Sequence, residues 1–191
     1  MPLQIDDVFV GKWDPLYPGN DEDEYTRLVV KVAQEMDSGG RISKETSLAI
    51  WKWKGAMRVI RRVGIGEYDT LYAEAFRRAA AEPPERKLAA LLDPSVKLPG
   101  VGAPTGSTIL HFIHPESIPI IDVRTVEVLF EAGLVSTKQR DLGHYEEFRK
   151  AIGAIRHRCP RWRLRQIDRA LFAYHKRVLD KKGQRRKCRS Y

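Results

Sequence analysis

The chain has 191 residues, enough for one well-buried core but short for two full domains. Its 42% hydrophobic and 31% charged residues exclude a wholly disordered protein, and no apolar run approaches the roughly 18 residues of a membrane span. Two cysteines, Cys159 and Cys188, exclude a disulfide framework and a four-cysteine metal site, while the net charge of +9 favours a polyanionic partner. With no secretory signal visible, we expect an intracellular protein, cytoplasmic or nucleoid-associated, with no membrane partner.

Helical periodicity and helix-breaking residues predict an all-α chain of about eight helices. Residues 1–20, rich in Pro and Gly from position 10 onward, are predicted to form an irregular arm. Residues 21–37 indicate a first helix with acidic side chains in its first turn. Ser43 is a suitable cap for a second helix over 44–63.

The remainder of the chain continues the helical pattern. The further predicted helices cover residues 68–81, 83–92, 105–112, 123–131, 144–157 and 161–179. No sustained alternation typical of a strand occurs in the sequence. We therefore expect a single helical domain over 21–180, with a hairpin at 85–113, basic C-terminal helices at 144–180 and a flexible basic tail at 181–191.

The positive charge is concentrated in the last third of the chain. Residues 1–135 carry 16 Lys and Arg against 20 Asp and Glu, whereas residues 136–191 carry 18 against 5. A basic lobe of this kind fits a polyanion, nucleic acid first, although a solvated basic helix and tail would give the same composition.

A glycine-rich turn joins two of the predicted helices. Two glycines that flank one apolar residue make a tight turn, whose outward amides and following helix N-terminus can bind a phosphate. Such a contact needs no side-chain cation and is blind to base sequence. The alternative is a tight helical hairpin without a ligand. The turn and the helix start after it comprise Leu98, Pro99, Gly100, Val101, Gly102, Thr105 and Gly106.

This stretch resembles the helix-hairpin-helix DNA glycosylases, the endonuclease III and MutY-like group. The resemblance rests on L-P-G-V-G at 98–102, on the pair Thr105-Gly106, and on P-I-I-D at 119–122. It implies a helix-hairpin-helix helical bundle, a monomer that engages double-stranded DNA, and a catalytic role for Asp122. A carboxylate near the sugar C1′ would stabilise the oxocarbenium-like charge that develops when the glycosidic bond breaks. From the sequence alone, Asp122 could equally be a helix N-cap.

Two departures from that family change the expected chemistry. Bifunctional members carry a lysine before the Thr, and that position here is Pro104, which has no amine. We therefore expect a glycosylase without lysine-based lyase activity. The family's iron–sulfur cluster is absent, because only Cys159 lies in the corresponding region. No metal site is predicted, and a monovalent cation at the hairpin is the one cofactor left open.

Other site residues follow from position and charge. We expect the backbone around Leu98, Gly100, Val101, Gly102 and Thr105 to contact DNA, and aromatic rings to line a base pocket. Trp53 lies on the apolar stripe of its helix and is expected in the core, whereas Trp51 lies off it. The phosphate-contact candidates are Arg124, Arg161, Arg165 and Arg169, and the base-pocket candidates are Trp51 and Tyr68.

The leading interpretation is monofunctional base excision, in which a damaged or mispaired base is flipped and its N-glycosidic bond hydrolysed. The Val123-Arg124-Thr125 sequence after Asp122 departs from the family and favours an alternative, a non-catalytic protein of the same fold that binds distorted duplex. An RNA-binding or protein-interaction helical domain is a third possibility.

Overall fold

The computed structural model describes residues 3–63, 68–96 and 98–180. Within these ranges the regular structure is all helical, with ten α-helices, eight of them of seven residues or more, and no strand. In chain order they are α1 (Asp7–Trp13), α2 (Glu22–Gly39), α3 (Lys44–Trp53), α4 (Met57–Ile60), α5 (Glu74–Ala81), α6 (Lys87–Leu91), α7 (Ala103–Ile113), α8 (Val123–Glu131), α9 (Leu142–Arg158) and α10 (Leu164–Tyr174). The all-α prediction is confirmed. The predicted tail at 181–191 lies outside the described residues.

Two compact units divide the chain, where the sequence predicted one domain over 21–180. The central unit comprises residues 19–120 and 141–143, and the terminal unit comprises residues 1–18, 121–140 and 144–191. None of the described helices is long and apolar enough to cross a bilayer.

The N-terminal residues are helical rather than an irregular arm. Asp6 caps α1 by accepting the Phe9 N–H at 2.9 Å, and Phe9 and Val10 are buried. The ring of Tyr174 in α10 lies 5.4 Å from Phe9 and 5.1 Å from Trp13. A seven-residue helix is too short to show a periodic apolar stripe, so the sequence does not predict α1. The helix is stabilised instead by packing against a residue more than 150 positions away.

The predicted helix 44–63 is two helices. Gly55 adopts a left-handed backbone (φ +74°), and the chain restarts at α4 after Ala56. Because the helix is interrupted between Trp53 and Met57, an apolar stripe extrapolated across 44–63 does not describe one buried face, and Met57 is exposed. The buried ring cluster of the central unit instead includes Trp51, Tyr72 and Phe76.

Glu35 of α2 ties the start of α3 into the central unit. Its carboxylate accepts the Ser43 N–H at 2.8 Å, the Ser43 hydroxyl at 2.8 Å and the Thr46 hydroxyl at 2.7 Å. Ser43 also caps α3 as predicted, by accepting the Thr46 N–H at 3.2 Å. Burial raises the pKa of Glu35, but these hydrogen bonds outweigh it and leave the pKa lowered.

We expect Glu35→Gln to lower the free energy of unfolding by about 1–2 kcal/mol at neutral pH, because three charge-assisted hydrogen bonds are weakened. A lowered folded-state pKa stabilises the fold above the ordinary carboxyl value of 4.5, and this contribution falls as the pH drops below it. The difference between wild type and variant should therefore shrink in acid. Urea denaturation at pH 7 and pH 3 measures this. The exposed Asp37 of the same helix provides the control, since Asp37→Asn should stay within about 0.5 kcal/mol at both.

Candidate nucleic-acid interface

The turn between α6 and α7 is built around Gly100, whose φ of +82° is a left-handed conformation that favours glycine. The Val101 N–H donates to the Leu98 carbonyl at 3.1 Å and closes the turn. A Cβ on Gly100 would lie 3.2 Å from the Val59 Cα, so the backbone of α4 also leaves no space for a side chain. Both the conformation and the close approach account for the first glycine of the motif.

The second glycine, Gly102, begins α7 in extended backbone (φ −121°, ψ −176°), with nothing within 4 Å of a Cβ placed there. Its N–H donates to the Thr105 Oγ1 at 3.0 Å. In the described part of the chain, the N–H groups of Ala103 and Thr105 have no carbonyl acceptor, as expected in the first turn of a helix. These donors and the helix dipole make the start of α7 a candidate phosphate-binding position.

The hairpin is held rigidly by its neighbours. The Tyr72 hydroxyl donates to the Pro99 carbonyl at 3.0 Å, and Leu98 is buried. A Cβ on Gly106 would lie 3.5 Å from the Val101 Cγ1, so Val101 points inward between the two helices. The amides before α7 are therefore fixed in position before any ligand arrives, which lowers the entropic cost of binding.

Arg62, which the sequence analysis did not single out, lies against the hairpin. Its Cδ and Cβ would lie 3.3 Å and 3.6 Å from a Cβ on Gly100. The overall charge of residues 1–135 hides this side chain and its basic neighbours, whereas a short sliding window of charge would have found them.

Asp122, in the terminal unit, caps α8. Its Oδ1 accepts the Arg124 N–H at 2.9 Å and lies 3.8 Å from the Arg124 Nη1, while the Thr125 Oγ1 accepts the Asp122 N–H at 3.3 Å. The capping interpretation of Asp122 is therefore confirmed. Its side chain keeps 19% of its surface exposed, so a solvent-accessible carboxylate stands at a helix N-terminus, where its negative charge is stabilised. The catalytic interpretation stays a prediction.

The four predicted phosphate-binding arginines, all in the terminal unit, have different surroundings. Arg165, with 7% of its side chain exposed, pairs with Asp168 at 3.0 Å, and Arg169 pairs with Asp14 at 2.9 Å. Both guanidinium groups also lie over the Tyr17 ring, at 5.2 and 5.4 Å. Their helix faces the core of this unit rather than presenting an open arginine row, so we assign Arg165 and Arg169 a structural role.

The other two arginines are more accessible. Arg161 is 64% exposed and lies 3.4 Å from Asp7, which leaves its guanidinium largely in solvent. Arg124 is 32% exposed and stacks over the Phe172 ring at 4.7 Å. Phosphate contacts by Arg124 and Arg161 stay predictions.

The two aromatic base-pocket candidates lie in the core of the central unit, contrary to the sequence prediction. Trp51 is fully buried, with its ring centroid 6.1 Å from those of Tyr72 and Phe76. Tyr68 is 2% exposed, and its hydroxyl bonds to the Ser47 hydroxyl and to the Ile42 carbonyl. Burial raises the pKa of Tyr68. Neither ring can stack on a flipped base without local opening of the core.

The histidines of α7 are occupied by separate partners. His111 is buried between the Tyr25 hydroxyl (2.9 Å) and the Ile118 carbonyl (2.7 Å). His114 lies 3.2 Å from the Ala80 carbonyl, and burial lowers its pKa. Among the described residues, no group of three or more His, Cys, Asp or Glu side chains is arranged to hold a metal ion.

Comparisons with protein-family models, with curated proteins and with solved structures found no match for this chain.

Proposed function

We propose that this protein binds double-stranded DNA through the hairpin and removes a damaged or mispaired base as a monofunctional DNA glycosylase. The observation that carries the proposal is the turn at Gly100, which leads into first-turn amides at the start of α7 that no described carbonyl accepts. Amides held in this way suit a phosphate and make no demand on base sequence. That is the contact an enzyme needs when it must examine every base pair.

Asp122 is the residue to which we assign the chemistry. In the proposed reaction, the charge of this carboxylate stabilises the oxocarbenium ion that forms at the sugar C1′ of a flipped nucleotide as the C1′–N bond breaks. The base departs with the bonding electron pair, water adds to C1′, and the proton that the water loses neutralises the departing base. The Arg124 N–H, 2.9 Å from Oδ1, orients the carboxylate for this role.

We expect the product to be an intact strand with an abasic site. Pro104 offers no amine for attack on C1′, so no Schiff base forms at that position. Breakage of the strand should require alkali, and borohydride should trap no covalent protein–DNA adduct.

A panel of duplex oligonucleotides tests the proposal. The duplexes carry uracil, hypoxanthine, 8-oxoguanine, an alkylated purine or a common mismatch. After incubation, each reaction is divided into two halves, and one half is treated with alkali. Alkali-dependent breaks at one lesion are the expected result and identify the base. Breaks without alkali, or a borohydride-trapped adduct, would contradict the expected absence of lyase chemistry at Pro104.

A second candidate function is non-catalytic recognition of distorted duplex. Asp122 caps α8, which accounts for this residue without a catalytic role. Trp51 and Tyr68 are buried, so the rings predicted to stack on a base lie in the core. Both observations favour this second function. In that case salt-sensitive binding to bent or mismatched duplex would persist while no substrate in the panel yields product.

A further inference from the structure

A short segment of the central unit carries basic side chains but no acidic ones. Residues 52–62 contain five basic side chains and no acidic one, and the nearest acidic residues along the chain are Glu45 and Glu67. Four of the five basic side chains are exposed, and the fifth, Lys54, is half-buried. We call this segment the basic shelf; its exposed basic residues are Lys52, Arg58, Arg61 and Arg62.

The arginines of the basic shelf differ from others in the same unit. Arg77 pairs with Glu74 at 2.6 Å, Arg78 lies 3.8 Å from the same carboxylate, and Arg86 lies 3.6 Å from Glu82. By contrast, no carboxylate in the described ranges pairs with an arginine of the shelf. A solubilising surface usually mixes charges of both signs, so a run of arginines that no carboxylate among the described residues neutralises indicates an external anion.

The shelf is also fixed next to the hairpin. Val59 is buried, and its Cα would lie 3.2 Å from a Cβ on Gly100, with the Arg62 Cδ at 3.3 Å from the same point. The stem of Arg62 is therefore placed beside the turn that leads into the amides of α7.

We propose that the basic shelf is a second phosphate-binding surface, which contacts the strand that the hairpin holds at the phosphates next to the one bound by the α7 amides. The ligand is the phosphodiester backbone of duplex DNA, recognised by charge rather than by base sequence. This inference rests on the proposed binding of duplex DNA. It adds that three arginines close together in sequence account for most of the salt dependence of duplex binding by the central unit.

The test is the salt dependence of duplex binding by the full chain. Each phosphate neutralised contributes about 0.9 to the slope of log K against log salt, so Arg58→Gln/Arg61→Gln/Arg62→Gln should reduce the slope by about 2–3 units. The matched control, Arg77→Gln/Arg78→Gln/Arg86→Gln, removes the same charge from the same unit and should change the slope by less than about one unit. Lysine at all three shelf positions should restore the wild-type slope.

The outcomes separate the two proposals. If both triple variants reduce the slope equally, only net charge matters and the shelf is not a site. An unchanged slope in the shelf variant, with normal circular dichroism, overturns the shelf alone. Absence of salt-dependent duplex binding by the wild type, or stronger binding to double-stranded RNA of equal length, overturns the proposed function together with the shelf.

Discussion

Asp122→Asn is expected to lower the rate of base excision by about 100-fold or more, while folding and duplex binding stay unchanged. In the proposed reaction the carboxylate charge stabilises the transition state, and removal of one preorganised electrostatic contact of this kind typically reduces the rate by about 10²–10³-fold. Single-turnover excision of the lesion identified by the panel measures the effect, because it separates chemistry from product release.

The capping role of Asp122 makes asparagine the informative substitution. Asn caps helices about as well as Asp, so the bond to the Arg124 N–H is retained and α8 keeps its start. Asp122→Ala removes both functions and should also lower the free energy of unfolding by about 1 kcal/mol. If Asp122→Asn retained most of the wild-type excision rate, the catalytic role would pass to another group and Asp122 would be a cap only.

Gly100→Ala is expected to lower the free energy of unfolding by about 1–3 kcal/mol and to weaken duplex binding. Alanine would have to adopt the left-handed backbone of Gly100, and its methyl group would lie 3.2 Å from the Val59 Cα. Because that contact is to backbone, it cannot be relieved by rotation of a side chain, and the turn must move. The amides at the start of α7 would then lose their fixed position.

Gly102→Ala is the matched control two residues away. Its extended backbone and the open space around its Cβ position predict a change in stability of less than about 0.5 kcal/mol. A phosphate approaching α7 would nevertheless meet the added methyl group, so duplex affinity should fall without loss of stability. Thermal melting and duplex titration of both variants measure the two effects. Equal destabilisation by both substitutions would contradict the described turn geometry.

Sequence rules predicted the parts of the fold that local chemistry determines. α8 runs over 123–131 as predicted, because an Asp cap and an apolar period define it without help from the rest of the chain. The cap at Ser43 and the inward position of Val101 were predictable for the same reason. The turn at Gly100 was predictable because two glycines flank one apolar residue there, and glycine favours the left-handed backbone of a tight turn.

The rest depended on partners remote in sequence. The pairing of Arg169 with Asp14 joins residues 155 positions apart, and no residue near Arg169 in the sequence predicts it. Trp51 is a core residue because the buried face of α3 includes Ser47, Ile50 and Trp51, whereas the prediction followed a stripe that continued past the end of α3. Burial and ion pairing between residues remote in sequence follow from tertiary packing, which the periodicity of a single sequence does not predict.

The make-up of the two units sets an order of assembly during synthesis on the ribosome. Almost all of the central unit lies within residues 19–120, so it can close its core while the rest of the chain is still being made. The terminal unit cannot, because α1 leaves the ribosome more than 150 residues before its aromatic partner Tyr174. Phe9 therefore lacks this partner until Tyr174 has been made. This interval is when a nascent chain of this fold is most exposed to aggregation and to proteases.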